Sequence, residues 1–172
     1  LSMNVAAAEI TRCVLERDDK VRILDADALN IIAGEHIDYK GSREGQIIIT
    51  PHIMEMSRLT GKTVADIKEH MIESAKEYAI QHSCICILKD ARTVVTDGQK
   101  VYINCTGNDG MSTGGCGDVL TGLIAGMTAM GLDAFEAACL SVYVHGKAGD
   151  YAASGKGRAG MTAADVSEAI AY

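Results

Sequence analysis

Three short apolar runs without the alternation of a half-exposed strand constrain this chain most: VRIL at 21–24, QIIIT at 46–50 and CICIL at 84–88. A strand that is apolar at successive positions must be covered on both faces, as happens when helices pack on each side of a parallel sheet. The first two runs close in polar segments, Asp25-Ala26-Asp27-Ala28-Leu29-Asn30 and Pro51-His52. Elsewhere the spacing is helical. Residues 6–16 place Ala7, Ile10, Val14 and Leu15 at helical intervals, and residues 63–81 put Val64, Ile67, Met71, Ala75 and Tyr78 on one stripe behind Thr60 or Thr63 as cap. Residues 94–97 and 101–104, joined by Asp97-Gly98-Gln99-Lys100, have the chemistry of a tight hairpin.

From residue 119 onward the pattern is helical: 119–130 around Leu120, Leu123, Ile124 and Met127, 134–153 around Ala138, Val142 and Tyr143, and 162–171 behind Thr162 with Asp165 three residues on. Strands alternating with helices predict an α/β three-layer sandwich with a largely parallel sheet. The Gly, Ala and Ser positions of the last two long helices, among them Gly126, Ser141, Gly146 and Gly149, predict tight helix contacts.

With 172 residues and no linker or repeat, residues 1–172 read as a single domain. A content of 48% hydrophobic and 23% charged residues excludes a disordered chain, and no apolar run approaches the roughly 20 residues that span a bilayer, so no membrane partner is expected. The net charge is −7, with no basic stripe, no Trp and one Phe, which argues against nucleic acid as a partner. A phosphorylated small molecule remains open, provided that backbone amides and a few local cations bind it. The six cysteines form no C-x-x-C pair, so reduced thiols in a cytoplasmic protein are expected, with Cys84 and Cys86 as small hydrophobes on one sheet face. No residue is assigned as a metal ligand; Asp25 and Asp27 read as a helix-capping turn and His145 as a satisfied core histidine.

The chemistry concentrates in residues 106–122, TGNDGMSTGGCGDVLTG, which hold six glycines. Gly114-Gly115-Cys116-Gly117 opens directly onto a helix, so unpaired amides at the positive end of its dipole can cradle an anion. Cys116 stands where a Walker A loop needs lysine, and the third glycine of a dinucleotide fingerprint is missing. A bare GGxG could equally be a turn with Asp118 as an ordinary first-turn acid. Yet a carboxylate beside a phosphate is repelled by it, so Asp118 is better explained as a general base for phosphoryl transfer to a hydroxyl.

Together with ILDADALN at 23–30, TPH at 50–52, LKDART at 88–93 and VYVHGKAGD at 142–150, this block resembles the nucleotide-dependent NAD(P)H-hydrate dehydratases of the ribokinase-like superfamily over nearly the whole chain. The resemblance implies a repair enzyme. Hydrated NADH or NADPH is phosphorylated on its new ring hydroxyl, from ADP in bacteria or ATP in eukaryotes, and phosphate then departs to restore the ring. Asp118 would contact the hydrated ring and take the hydroxyl proton. The amides of Gly114, Gly115, Cys116 and Gly117 would form the anion hole, and His52 and Asn108 would stand at the substrate, Asn108 alternatively bracing the loop or lying near a phosphate or Mg²⁺. Lys89, Asp90, Ala91, Arg92 and Thr93, with Gly117, would bind the nucleotide, and Mg²⁺ would accompany it.

The resemblance also implies a homo-oligomer, a tetramer, and a chain corresponding to the carboxyl-terminal two-thirds of the family domain. Where the family reads TPHPGE and LKG, this chain has TPHIME and LKD, and Cys116 replaces a serine. A helix N-terminus would lower the thiol pKa of Cys116. Two rival functions share part of this pattern: a vitamin-precursor kinase of the same superfamily, and a non-catalytic nucleotide-binding remnant.

Overall fold

The three apolar runs lie side by side. In the computed structural model, which describes residues 4–42 and 46–172, β1 (Arg22–Leu24), β2 (Ile47–Ile49) and β3 (Ile85–Leu88) pair in parallel, Ile23 opposite Ile48 and Ile49 opposite Cys86. β4 (Val94–Thr96) and β5 (Val101–Ile103) are the expected hairpin, antiparallel to β3 and to each other, and complete one sheet in the order β1-β2-β3-β4-β5. The sheet is thus parallel over its first three strands and antiparallel at the hairpin, which needs no crossover helix.

Both faces are covered, as uninterrupted apolar strands require. Leu24, Ile47, Ile49, Cys84, Cys86 and Leu88 point into one core. α2 (Asp27–Gly34), α3 (Ile53–Thr60), α4 (Val64–Glu69) and α5 (Met71–His82) pack on it through Leu29, Met56, Ile67 and Ala75. Ile48, Ile85, Ile87 and Val95 point the other way, against Leu120 and Ile124 of α6 (Cys116–Ala129) and Val142 of α7 (Ala134–Lys156). Cys84 and Cys86 are therefore small hydrophobes on one face, and burial pushes the Cys84 thiol up to about 12. α8 (Ala163–Ala169) closes over α6 and α7, its N-terminus held by the expected Thr162–Asp165 capping box.

Four details differ from the sequence reading. The polar segments that close the first two runs, 25–30 and 51–52, lead directly into short helices at 27–34 and 53–60, because Ala28, Leu29, Ile53 and Met56 complete the core and His52 with Glu55 caps α3. The single helix expected over 63–81 breaks at His70 (φ −126, ψ 49), although its stripe survives the break, with Ile67, Ala75 and Tyr78 all buried. α1 (Val5–Glu16) turns Ala7, Ala8 and Thr11 inward and leaves Ile10 half exposed, since its close contact with Ile31 of α2 admits only small side chains. Finally, Gly146 and Gly149 of α7 receive a loop and not a helix. A Cβ on them would clash with Thr106 Oγ1 and Met111 Sδ respectively, while one on Gly126 would meet nothing within 4 Å.

Candidate functional site

The carboxyl ends of β1, β2 and β3 deliver Asp25, His52 and Lys89 to one edge of the sheet, where open α/β folds place their ligands. The Lys89 amide donates to the Pro51 carbonyl at 2.8 Å, and a parallel bridge joins Lys89 to His52. Lys89 Nζ donates to Asp25 Oδ1 at 2.9 Å, and Asp25 Oδ2 accepts from Thr121 Oγ1 of α6 at 3.2 Å. Burial works against the charge on Asp25, but the ammonium of Lys89 and hydrogen bonds from Thr50 and Lys89 outweigh it and hold the carboxyl below its ordinary range.

Asp25 is therefore not a helix cap. The N-cap of α2 is Ala26, which makes no side-chain bond, and the Asp25 carbonyl accepts the Ala28 amide at 3.2 Å, while the Asp25 carboxylate is engaged by Lys89 and Thr121. The signal that could have found the pair is an acid and a lysine closing the two buried strands that flank β2.

The glycine loop is tied down on α7. Asp150 Oδ2 accepts the Gly107 amide at 3.0 Å and Asp150 Oδ1 accepts Asn108 Nδ2 at 3.1 Å, while Asn108 Oδ1 takes the Gly110 amide at 3.0 Å. Asn108 thus braces the loop from within, and Asp150, which sequence reading missed, clamps it from outside. The loop ends in Gly115, the N-cap of α6, at φ +92, a conformation that favours glycine; a Cβ there would stand 3.0 Å from that of Ala163.

The amides of Gly114, Gly115, Gly117 and Asp118 pair with no carbonyl among the described residues, and the first turn of a helix offers them none. Cys116 is the exception in the predicted anion hole, since its amide donates to the Thr113 carbonyl at 3.4 Å. A Cβ on Gly117 would lie 3.4 Å from Asp25 Oδ2 and 3.8 Å from Lys89 Nζ, so the first turn of α6 and the Asp25–Lys89 pair face each other across one side chain's width. Asp118 is exposed on that turn, and its carboxylate has no partner among the described residues.

Two expectations are corrected by where the side chains go. The Cys116 thiol packs among Ala148, Ala152, Met161 and Val166, and burial raises its pKa, outweighing the hydrogen bond to the Thr113 backbone; the helix terminus does not make it reactive. His145 is not a satisfied core histidine. Its Nε2 is buried without a hydrogen-bond partner, and burial pushes the ring down to about 4 despite the nearby Cys116 carbonyl.

His52 has a local duty as N-cap of α3. Its Nδ1 accepts the Glu55 amide at 3.1 Å and its own amide donates to Glu55 Oε2 at 2.9 Å, while half of the side chain remains exposed. Asp90, Ala91, Arg92 and Thr93 link β3 to β4 beside Lys89; Asp90, Ala91 and Arg92 are exposed, and Arg92 pairs with no carboxylate among the described residues. Among the described residues no group of three or more His, Cys, Asp or Glu side chains could hold a metal ion. Carboxylates at this edge fit Mg²⁺ only as an ion carried in on phosphate oxygens, needing one or two protein ligands. No helix among the described residues is long and apolar enough to cross a membrane.

Residues 1–172 match the carbohydrate-kinase-type family described as NAD(P)H-hydrate dehydratase. The chain belongs to this family. It is 44% identical over 174 residues to the bifunctional NAD(P)H-hydrate repair enzyme of Moorella thermoacetica, covering 100% of this chain and 32% of that one. It is 34% identical over 171 residues to the ADP-dependent (S)-NAD(P)H-hydrate dehydratase of Neisseria meningitidis, covering 97% and 57%. Among solved structures it resembles the ADP/ATP-dependent NAD(P)H-hydrate dehydratase of Bacillus subtilis co-crystallized with ATP/Mg²⁺, with a TM-score of 0.87 and 31% identity, covering 99% of this chain and 60% of that one. The NAD(P)H-hydrate dehydratase motifs and the ribokinase-like fold drawn from the sequence agree with these relatives. The chain spans about a third to three-fifths of their lengths.

Proposed function

We propose that this domain serves the nucleotide-dependent dehydration of hydrated NADH or NADPH, with ADP as phosphoryl donor. One observation carries the reading: a carboxylate without a partner among the described residues, Asp118, shares a helical turn with unpaired amides that lie against an ammonium, Lys89. The amides of Gly114, Gly115 and Gly117, the dipole of α6 and Lys89 supply positive potential where a transferring phosphoryl group would develop charge. Asp118 accepts the proton of the ring hydroxyl as oxygen attacks that phosphorus. The bond from that phosphorus to the bridging oxygen of ADP breaks and AMP leaves; the phosphate then departs with its C–O bond as the neighbouring ring carbon loses a proton to solvent, which restores the ring double bond. Mg²⁺ would neutralise charge between the phosphates of the nucleotide.

His52, at the same edge, lines the substrate pocket with its exposed half, and Lys89 to Thr93 hold the nucleotide phosphates, Arg92 adding its guanidinium. The resemblance further supports a homo-oligomer, a tetramer, which light scattering reads directly. The domain is taken as the carboxyl-terminal two-thirds of a single ribokinase-like unit, and a cytoplasmic setting agrees with six cysteines that form no disulfide.

The test is to incubate the protein with hydrated NADH, Mg²⁺ and ADP or ATP and follow the return of reduced-nicotinamide absorbance. Recovery with release of AMP and phosphate from ADP is expected. A stable phosphorylated product would establish a kinase in its place, and nucleotide binding without turnover a non-catalytic remnant.

A further inference from the structure

Lys89 stands between a carboxylate and the glycine turn that opens α6. Its Nζ is 2.9 Å from Asp25 Oδ1 and 3.8 Å from where a Cβ of Gly117 would stand, on the turn whose amides are open to an anion. The pair is largely shielded, with side chains 24% and 14% exposed, and Asp25 is fixed on its other oxygen by Thr121 of α6. A carboxylate so close to a phosphate cradle opposes phosphate binding directly, and it also occupies the cation that would favour it. A phosphate cradle alone does not call for such a carboxylate.

We propose that Asp25 is a positioning residue that sets nucleotide affinity by competing for Lys89: in the free protein the carboxylate holds the ammonium beside Gly117, and a nucleotide phosphate must draw it away. Lys89 is thereby kept aimed at the cradle between turnovers, while the net attraction for phosphate is restrained so that the nucleotide product can leave. The short reach from Gly117 to both groups means that the exchange needs only a rotation of the lysine terminus, with no movement of the backbone.

This inference rests on the phosphate-site reading above, but its test does not require dehydratase turnover. ADP binding is measured by calorimetry for the full chain, for Asp25→Asn, Lys89→Met and the double variant, with Asp25→Glu as the conservative control. Asp25→Asn is expected to bind ADP three- to tenfold more tightly, since Lys89 loses its rival anion. Asp25→Glu should stay within twofold of the parent. In the Lys89→Met background the Asn substitution should change affinity by less than twofold, because the competition has no object; such non-additivity would not arise from general loosening. Weaker or unchanged ADP binding in Asp25→Asn overturns the proposal, as does an equal effect with and without Lys89. Failure of the parent chain to bind ADP at all removes the site beneath it. Binding without nicotinamide recovery leaves the Asp25 result readable and removes only the dehydratase reading.

Discussion

Asp150, in the last third of α7, accepts Nδ2 of Asn108 at 3.1 Å across 42 residues of sequence, and through it the glycine loop is attached to the helix beneath. The same carboxylate takes the Gly107 amide at 3.0 Å. Replacing Asp150 by Ala leaves both donors without their acceptor, a loss of about 1–3 kcal/mol in stability. The loop preceding the anion cradle would then be less ordered, and ADP affinity should fall several-fold. Asp150→Asn, which keeps one acceptor oxygen, should recover part of both losses. Chemical denaturation and calorimetry read the two effects, and an Asp150→Ala protein with the parent's midpoint and ADP affinity would refute the clamp.

Asp118 stands on the first turn of α6 with its carboxylate unpartnered among the described residues, so its substitution should leave the fold intact. Asp118→Asn is expected to reduce nicotinamide recovery by about 10²–10⁴-fold, the usual contribution of a positioned general base. ADP affinity should hold or improve, because a charge that repels phosphate is gone. Initial rates and a binding isotherm on the same preparation separate the two; more than a tenth of parental turnover would remove Asp118 from the proton transfer.

Thiol labelling distinguishes burial from dipole at Cys116. Burial raises the pKa of this thiol, so at pH 8 its thiolate fraction is below that of an ordinary cysteine, and the surrounding Ala148, Ala152 and Met161 restrict access as well. Iodoacetamide should modify the exposed Cys13 and Cys105 at least tenfold faster, as read by peptide mass spectrometry over time. Equal or faster labelling of Cys116 would restore the view of an activated thiol.

The stability of the chain should depend on pH through His145. Its folded pKa is pushed down to about 4, below the roughly 6.5 of an unfolded histidine. Between those values the unfolded state binds more protons, so stability rises with pH there; the contribution is complete above about pH 6.5 and is lost as pH falls toward 4. A tenfold difference in proton affinity between the two states is worth about 1.4 kcal/mol, so a loss of order a few kcal/mol is expected between pH 7 and 4.5. His145→Gln should flatten that part of the profile in urea unfolding. An unchanged slope would mean that another group carries the pH dependence.

How much could be read in advance follows from how far each interaction reaches along the chain. Uninterrupted apolarity at 47–49 and 85–88 determined buried strands, because such residues can be satisfied only by cover on both faces. Thr162 with Asp165 determined one helix start, since a capping box needs nothing beyond four consecutive positions, whereas the choice between Thr60 and Thr63 was decided only in the fold, where Thr63 pairs with Asp66. The glycine loop opening on Asp118 was legible for the same reason. The short helices α2 and α3 were not, because one or two turns carry too little periodicity and depend on the core they complete.

At the site, the amino-acid sequence by itself determined which backbone could approach a phosphate and which acid stood beside it. Only the tertiary structure decided who meets whom: Lys89 with Asp25 across 64 residues, Asp150 with Asn108 across 42, and the Cys116 thiol turned into the packing of α7 and α8. Amides, caps and turns are set by neighbouring dihedral angles and so are written locally. The partner of a charged side chain is set by strand register and helix docking, which exist only once the whole sheet has formed.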